Sequence, residues 1–140
     1  MRTRLIPQFT LLAAALVAAA ACGPKKASGE NSVKVTDITM GRSLTADIKI
    51  DDKSVDFKPA DVIYAVVEAK GTGPATLAAR WTYQDNQVVT EESKTVQLTS
   101  DEPVRTEFHI SKPDGWPAGK YHLVVTLNGT KAGEQDFEVK

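Results

Sequence analysis

From Val33 onward the apolar residues recur at every second position, a period that fits strands and is wrong for amphipathic helices. In Thr76 to Tyr83, Leu77, Ala79, Trp81 and Tyr83 share one face, and Ala78, Arg80 and Thr82 share the other. In Val104 to Ser111, Thr106, Phe108 and Ile110 stand opposite Arg105, Glu107 and His109. Tyr121 to Asn128 sets Tyr121, Leu123, Val125 and Leu127 against His122, Val124 and Thr126, and Lys131 to Val139 ends with Phe137 and Val139 against Asp136 and Glu138. Val62 to Ala69 (VIYAVVEA) is a β-branched run. Strands that alternate in this way are covered on one face only, so each must lay its apolar side on another layer. Val33 to Met40, Leu44 to Ile50, Gln87 to Thr90 and Thr95 to Leu98 are shorter strand candidates. Val33 and Val35 are out of phase with Ile38 and Met40, which predicts a bulge or a change of sheet near Thr36 and Asp37.

Turn residues separate the runs: Gly41-Arg42, Gly71-Thr72-Gly73-Pro74, Asp85-Asn86, Asp101-Glu102-Pro103 and Asn128-Gly129. Asn128-Gly129 between two alternating runs predicts a tight hairpin, because both residues accept positive φ. The chain has 140 residues, room for one ordinary domain, and seven to nine short strands in one domain predict two packed antiparallel sheets. Trp81 lies midway along the third main strand. Trp116-Pro117-Ala118-Gly119-Lys120-Tyr121 resembles the entry to the sixth strand of immunoglobulin-like sandwiches, and Gly119 to Val139 is similar to their closing hairpin. The resemblance implies an all-β immunoglobulin-like sandwich over residues 33–140. It also implies a tyrosine corner, in which Tyr121 bonds back to the loop before its strand. The antibody-type Cys pair is absent, since Cys22 is the only cysteine, so the apolar core must hold the sheets together. A jelly roll or a small barrel is compatible with the same pattern.

The segment before Val33 has a different composition. Arg2 and Arg4 precede an apolar run, Leu11 to Ala21, that suits a signal peptide and is short for a membrane span, which needs about 20 residues. The run ends in Ala19-Ala20-Ala21-Cys22-Gly23, which resembles the lipobox of bacterial lipoproteins, with Ala19 where that family most often has Leu. The resemblance implies a signal peptide over 1–21, cleaved before Cys22, and a diacylglyceryl group on the Cys22 thiol. It further implies a membrane anchor, and Gly23 in place of Asp favours the outer membrane. An ordinary secretory signal cut after Ala21 is the alternative and would leave Cys22 as a free thiol. Residues 22–32 hold no large apolar side chain and are expected to form a flexible tether, with Lys25 and Lys26 beside the membrane. Cleavage would remove Arg2 and Arg4, leaving 15 basic side chains against 18 acidic, a net charge of −3. That balance argues against a nucleic-acid partner.

Little in the chain points to catalysis. No G-x-S-x-G, H-E-x-x-H, P-loop or G-x-G-x-x-G occurs, and no cofactor is expected. His109 and His122 fall on the outward phase of strands expected in opposite sheets, too far apart to share a proton or a metal ion. The acidic stretch Asp47, Asp51, Asp52, Asp56 and Asp61 is interleaved with Lys49, Lys53 and Lys58 and lacks the spacing of a calcium loop, so no metal site is expected. Trp116, in a loop, and Tyr64, on the polar phase of its strand, are candidates for a binding surface; each could instead complete the core. The expected function is a non-catalytic envelope lipoprotein presenting a β-surface to a protein or glycan partner. A chaperone- or inhibitor-like module acting by strand addition, and a hydrolase on a β-scaffold, are the alternatives.

Overall fold

The computed structural model describes residues 33–99 and 102–140, which form eight strands in chain order. They are β1 (Lys34–Gly41), β2 (Asp56–Phe57), β3 (Ile63–Lys70), β4 (Gly73–Tyr83), β5 (Gln87–Leu98), β6 (Val104–Ile110), β7 (Gly119–Leu127) and β8 (Thr130–Val139). The signal peptide, Cys22, the tether and Asp101 lie outside the described residues.

One sheet has the order β1-β3-β6 and the other β2-β8-β7-β4-β5. All pairings are antiparallel except that of β2 on β8. This crossed strand order, with a buried Trp on the inner strand β4 and a tyrosine corner at the entry to β7, is that of an immunoglobulin-like sandwich. The inward residues of both sheets form one core: Ile63, Ala65, Val67 and Phe108 from the first, and Leu77, Ala79, Trp81, Leu123, Val125 and Phe137 from the second. Trp81 is fully buried, its ring edge-on to Phe137 at 5.8 Å between centroids. Leu123, two residues after Tyr121, fills the place where antibody domains carry their second Cys.

The phase change in the first strand is a register shift between Val35 and Asp37 within β1. Asn128 and Gly129 both have positive φ, as the β7–β8 hairpin requires, and Asn128 Oδ1 accepts a hydrogen bond from Thr76 N at 2.9 Å. Three expectations are corrected. Leu44 to Ile50 is not a strand: Thr45 N donates to Lys49 O at 2.8 Å and Ile48 has a φ of 55°, so the segment turns back and keeps only a Leu44–Ile50 bridge. Gln87 to Thr90 and Thr95 to Leu98 are the two ends of β5, whose middle, Glu91 to Lys94, is polar because it is largely uncovered. β2 was missed because two residues carry no period; Lys140 N donating to Phe57 O at 2.9 Å helps tie it to β8.

Candidate binding groove between β5 and β6

The two outer strands β5 and β6 each pair with one neighbour only, so the sandwich is open between them. At one end of this opening lies a groove of about 610 Å³, within the size range of small-ligand sites. Three local features build it. The first is a bulge in β5: Thr82 faces Val88 and Trp81 faces Thr90, so Val89 is the extra residue. A bulge bends the strand and re-aims its side chains. Here Val88 is left 53% exposed while Val89 packs partly against the core.

The second feature is the loop between β6 and β7. Gly115, at φ 85°, lets the chain reverse, Gly115 N donates to Lys112 O at 2.9 Å, and Trp116 N donates to Pro59 O at 2.7 Å. Trp116 is thereby folded over the end of the core and is only 7% exposed, its ring edge-on to Tyr121 at 6.3 Å. Its indole Nε1 is buried without a hydrogen-bond partner among the described residues. A buried unpaired N–H costs free energy that an acceptor would recover.

The third feature is the tyrosine corner. The Tyr121 hydroxyl donates to Pro117 O at 2.7 Å, and the Tyr83 hydroxyl donates to Ala118 O at 2.9 Å. Their rings lie 4.7 Å apart. Burial, and then the neighbouring Tyr83, push the Tyr121 phenol up to about 12. The two rings and Trp116 make the aromatic wall; Thr90 and Gln87 of β5, and Ser111 and Lys112 beyond β6, make the polar rim.

The sequence candidates fall into this frame. Trp116 lines the groove mainly from beneath, as part of the core. Tyr64 is half-buried on the outer face of β3 and is not a lining residue, but its ring lies 5.4 Å from that of His109, which is. His109 and His122 lie on different sheets, as read from the sequence. His109 is held by Glu107, and His122 by Asp136 and, at 3.0 Å, by Glu134. Glu134 is held below its ordinary value, first by its hydrogen bond from Lys131. In the acidic stretch, Asp52 and Asp61 turn to Arg42, at 3.1 and 3.2 Å, rather than to one another. Val88, Val89 and His109 were missed as site residues. They come from strands far apart in sequence, and the exposure of Val88 depends on a bulge that alternation alone does not reveal.

No family model and no curated protein matches the chain. Among solved structures it is similar to an immunoglobulin-like protein from Pseudomonas aeruginosa, at 16% identity over 81% of this chain and 100% of that one, with a TM-score of 0.48. It is also similar to the alkylpurine DNA glycosylase AlkC from Pseudomonas fluorescens bound to DNA, at 13% identity over 79% of this chain and 31% of that one, TM-score 0.43. A β-glucosidase from Kluyveromyces marxianus is similar at 13% identity over 77% of this chain and 14% of that one, TM-score 0.44. The chain therefore spans under a third of either enzyme. Its immunoglobulin-like assignment stands on its own strand order and corner.

Proposed function

We propose that the protein is a lipid-anchored, non-catalytic binding module of a bacterial cell envelope, probing for a protein or glycan partner with the groove between β5 and β6. The observation that carries this reading is where the groove lies relative to the tether. The tether enters at Val33, beside Lys34, which is opposite Lys70 at the end of β3. The groove begins at the other end of β3, where Ile63 is opposite Ile110. The eight residues of β3 span roughly 25 Å at about 3.3 Å per residue. A chain fixed at Cys22 would enter the domain at the end opposite the groove, leaving the groove free to face away from the bilayer.

Anchoring rests on Ala19-Ala20-Ala21-Cys22 and is tested by Cys22→Ser. Wild type is expected to partition into detergent and to carry a diacylglyceryl mass on its N-terminal peptide; the variant should do neither. Equal partitioning would remove the anchor from the account. An outer-membrane location is part of the proposal and follows from Gly23; fractionation of the two membranes checks it. Strand addition is favoured as the mode of binding by one observation: β6 has a free edge beside the groove.

A further inference from the structure

The free edge of β6 and the lining of the groove together narrow what can bind. In an antiparallel ladder, alternate residues turn their N–H and C=O toward one neighbour and the rest turn them away. Thr36 Oγ1 donates to Glu68 O, so Glu68, and with it Val66 and Tyr64, turn toward β1. Their register partners Arg105, Glu107 and His109 therefore turn away from β3, toward the opening. Lys94 confirms the direction: its ammonium crosses from β5 and donates to Glu107 O.

Lys94 also limits which part of the edge is open. Its ammonium lies 5.0 Å from the Phe108 ring centroid and 3.6 Å from the carboxylates of both Glu92 and Glu107. A lysine lying across a strand edge opposes pairing there. Beyond Glu107 the edge passes His109 and runs out through Ser111 into the groove.

The charge of the groove differs from that of the chain. Acidic side chains outnumber basic ones in the sequence, yet among the described residues no Asp or Glu lines the groove. The titratable nitrogens there are Lys112 and His109, and the buried Trp116 N–H has no acceptor among the described residues. The nearest acidic partner of His109, Glu107, is also engaged by Lys94.

We propose that the groove binds the carboxyl-terminal end of an extended polypeptide. Its backbone pairs with the free edge of β6 at His109, and its terminal carboxylate lies toward Lys112. This deepens the groove reading above and rests on it. The donors already in place suit such a ligand: a strand edge for the backbone, an ammonium for the carboxylate and an aromatic wall for the last side chain.

The test uses the intact protein in detergent and two pools of randomised hexapeptides, one with free carboxyl termini and one amidated. Binding is read by titration and by amide-proton exchange. The free-acid pool is expected to bind about tenfold more tightly, the scale of one charge-assisted hydrogen bond. Resonances of Val88 to Thr90 and His109 to Lys112 should shift, and the His109 amide should become protected. Lys112→Gln should bring the two pools to equal affinity while leaving the fold unchanged. Equal binding of acid and amide pools at the groove would overturn the carboxylate proposal and leave the groove reading standing. No binding by either pool would overturn the peptide proposal and leave the groove to a glycan, and shifts confined to another face would overturn both.

Discussion

The two flanks of the sandwich are closed in different ways. On the β1–β8 flank, Ile38 packs over Gly133 so closely that a Cβ on that glycine would lie 2.6 Å from Ile38 Cδ1. The short parallel strand β2 extends the same sheet beyond β8, with Glu138 N donating to Val55 O at 2.9 Å. On the β5–β6 flank one long side chain, Lys94, bridges the sheets, and beyond it lies the groove. Apolar contact at Ile38 closes one side, whereas on the other an ammonium crosses between the strand edges. Contact of that kind leaves a smaller cleft, about 220 Å³ along Ile38 and Gly133, whereas the bridged flank carries the 610 Å³ groove beside the edge groups of β6.

A change at the shared core should damage both flanks together. Trp81→Ala removes a fully buried ring between the sheets and is expected to cost about 3–5 kcal/mol, read as a lower urea midpoint. Such a loss is a large part of the roughly 5–15 kcal/mol available to a domain. An unchanged midpoint would mean that the ring does not hold the sheets together.

A change at the closed flank should be costly where the same kind of change at the open flank is not. Ile38→Ala removes the apolar contact over Gly133 and is expected to cost about 2 kcal/mol, the low end for truncating an apolar side chain that is only partly covered. Lys94→Ala, on a partly exposed bridge, should cost no more than about 1 kcal/mol. Similar losses for the two variants would erase the distinction between the flanks.

The corner beneath the groove should show a smaller effect and a pH signature. Tyr121→Phe keeps the ring and loses the bond to Pro117 O, an expected cost of about 0.5–1.5 kcal/mol. The Tyr121 phenol is raised from 10.0 to about 12 in the folded protein, so the unfolded chain loses its proton first as pH rises. Its contribution is therefore complete below pH 10 and declines as pH climbs toward 12. Urea unfolding across that window should be steeper in pH for wild type than for Tyr121→Phe. Identical pH slopes would show that the hydroxyl does not titrate as a buried group.

The closed flank and the corner were more legible in the sequence than the open flank, for a physical reason. Pro117, Gly119, Asn128 and Gly129 each restrict or permit particular φ values, and Tyr121 to Leu127 alternates over a face that is fully covered. The register shift after Val35 was readable because it moves apolar residues from one phase to the other. β5 carries no such signal in its middle, since Glu91 to Lys94 is covered on neither face well enough to demand an apolar residue. The groove draws on Val88, His109 and Trp116, which the fold brings together from three separate stretches. Trp116 and Tyr64 were visible as candidates, but their shared neighbourhood with His109 is a property of strand order, which alternation does not encode.

The central claim is that the open flank is the surface on which this protein meets its partner. A photoactivatable side chain at Val88, in intact envelopes, places a probe at the rim of the groove; the same probe at Val124 reports the outer face of the five-stranded sheet. The account requires a discrete crosslinked product from Val88, lost when Lys112 is replaced by Glu, and none from Val124. Crosslinking from Val124 alone, or equal yields from both positions whatever stands at 112, would contradict it.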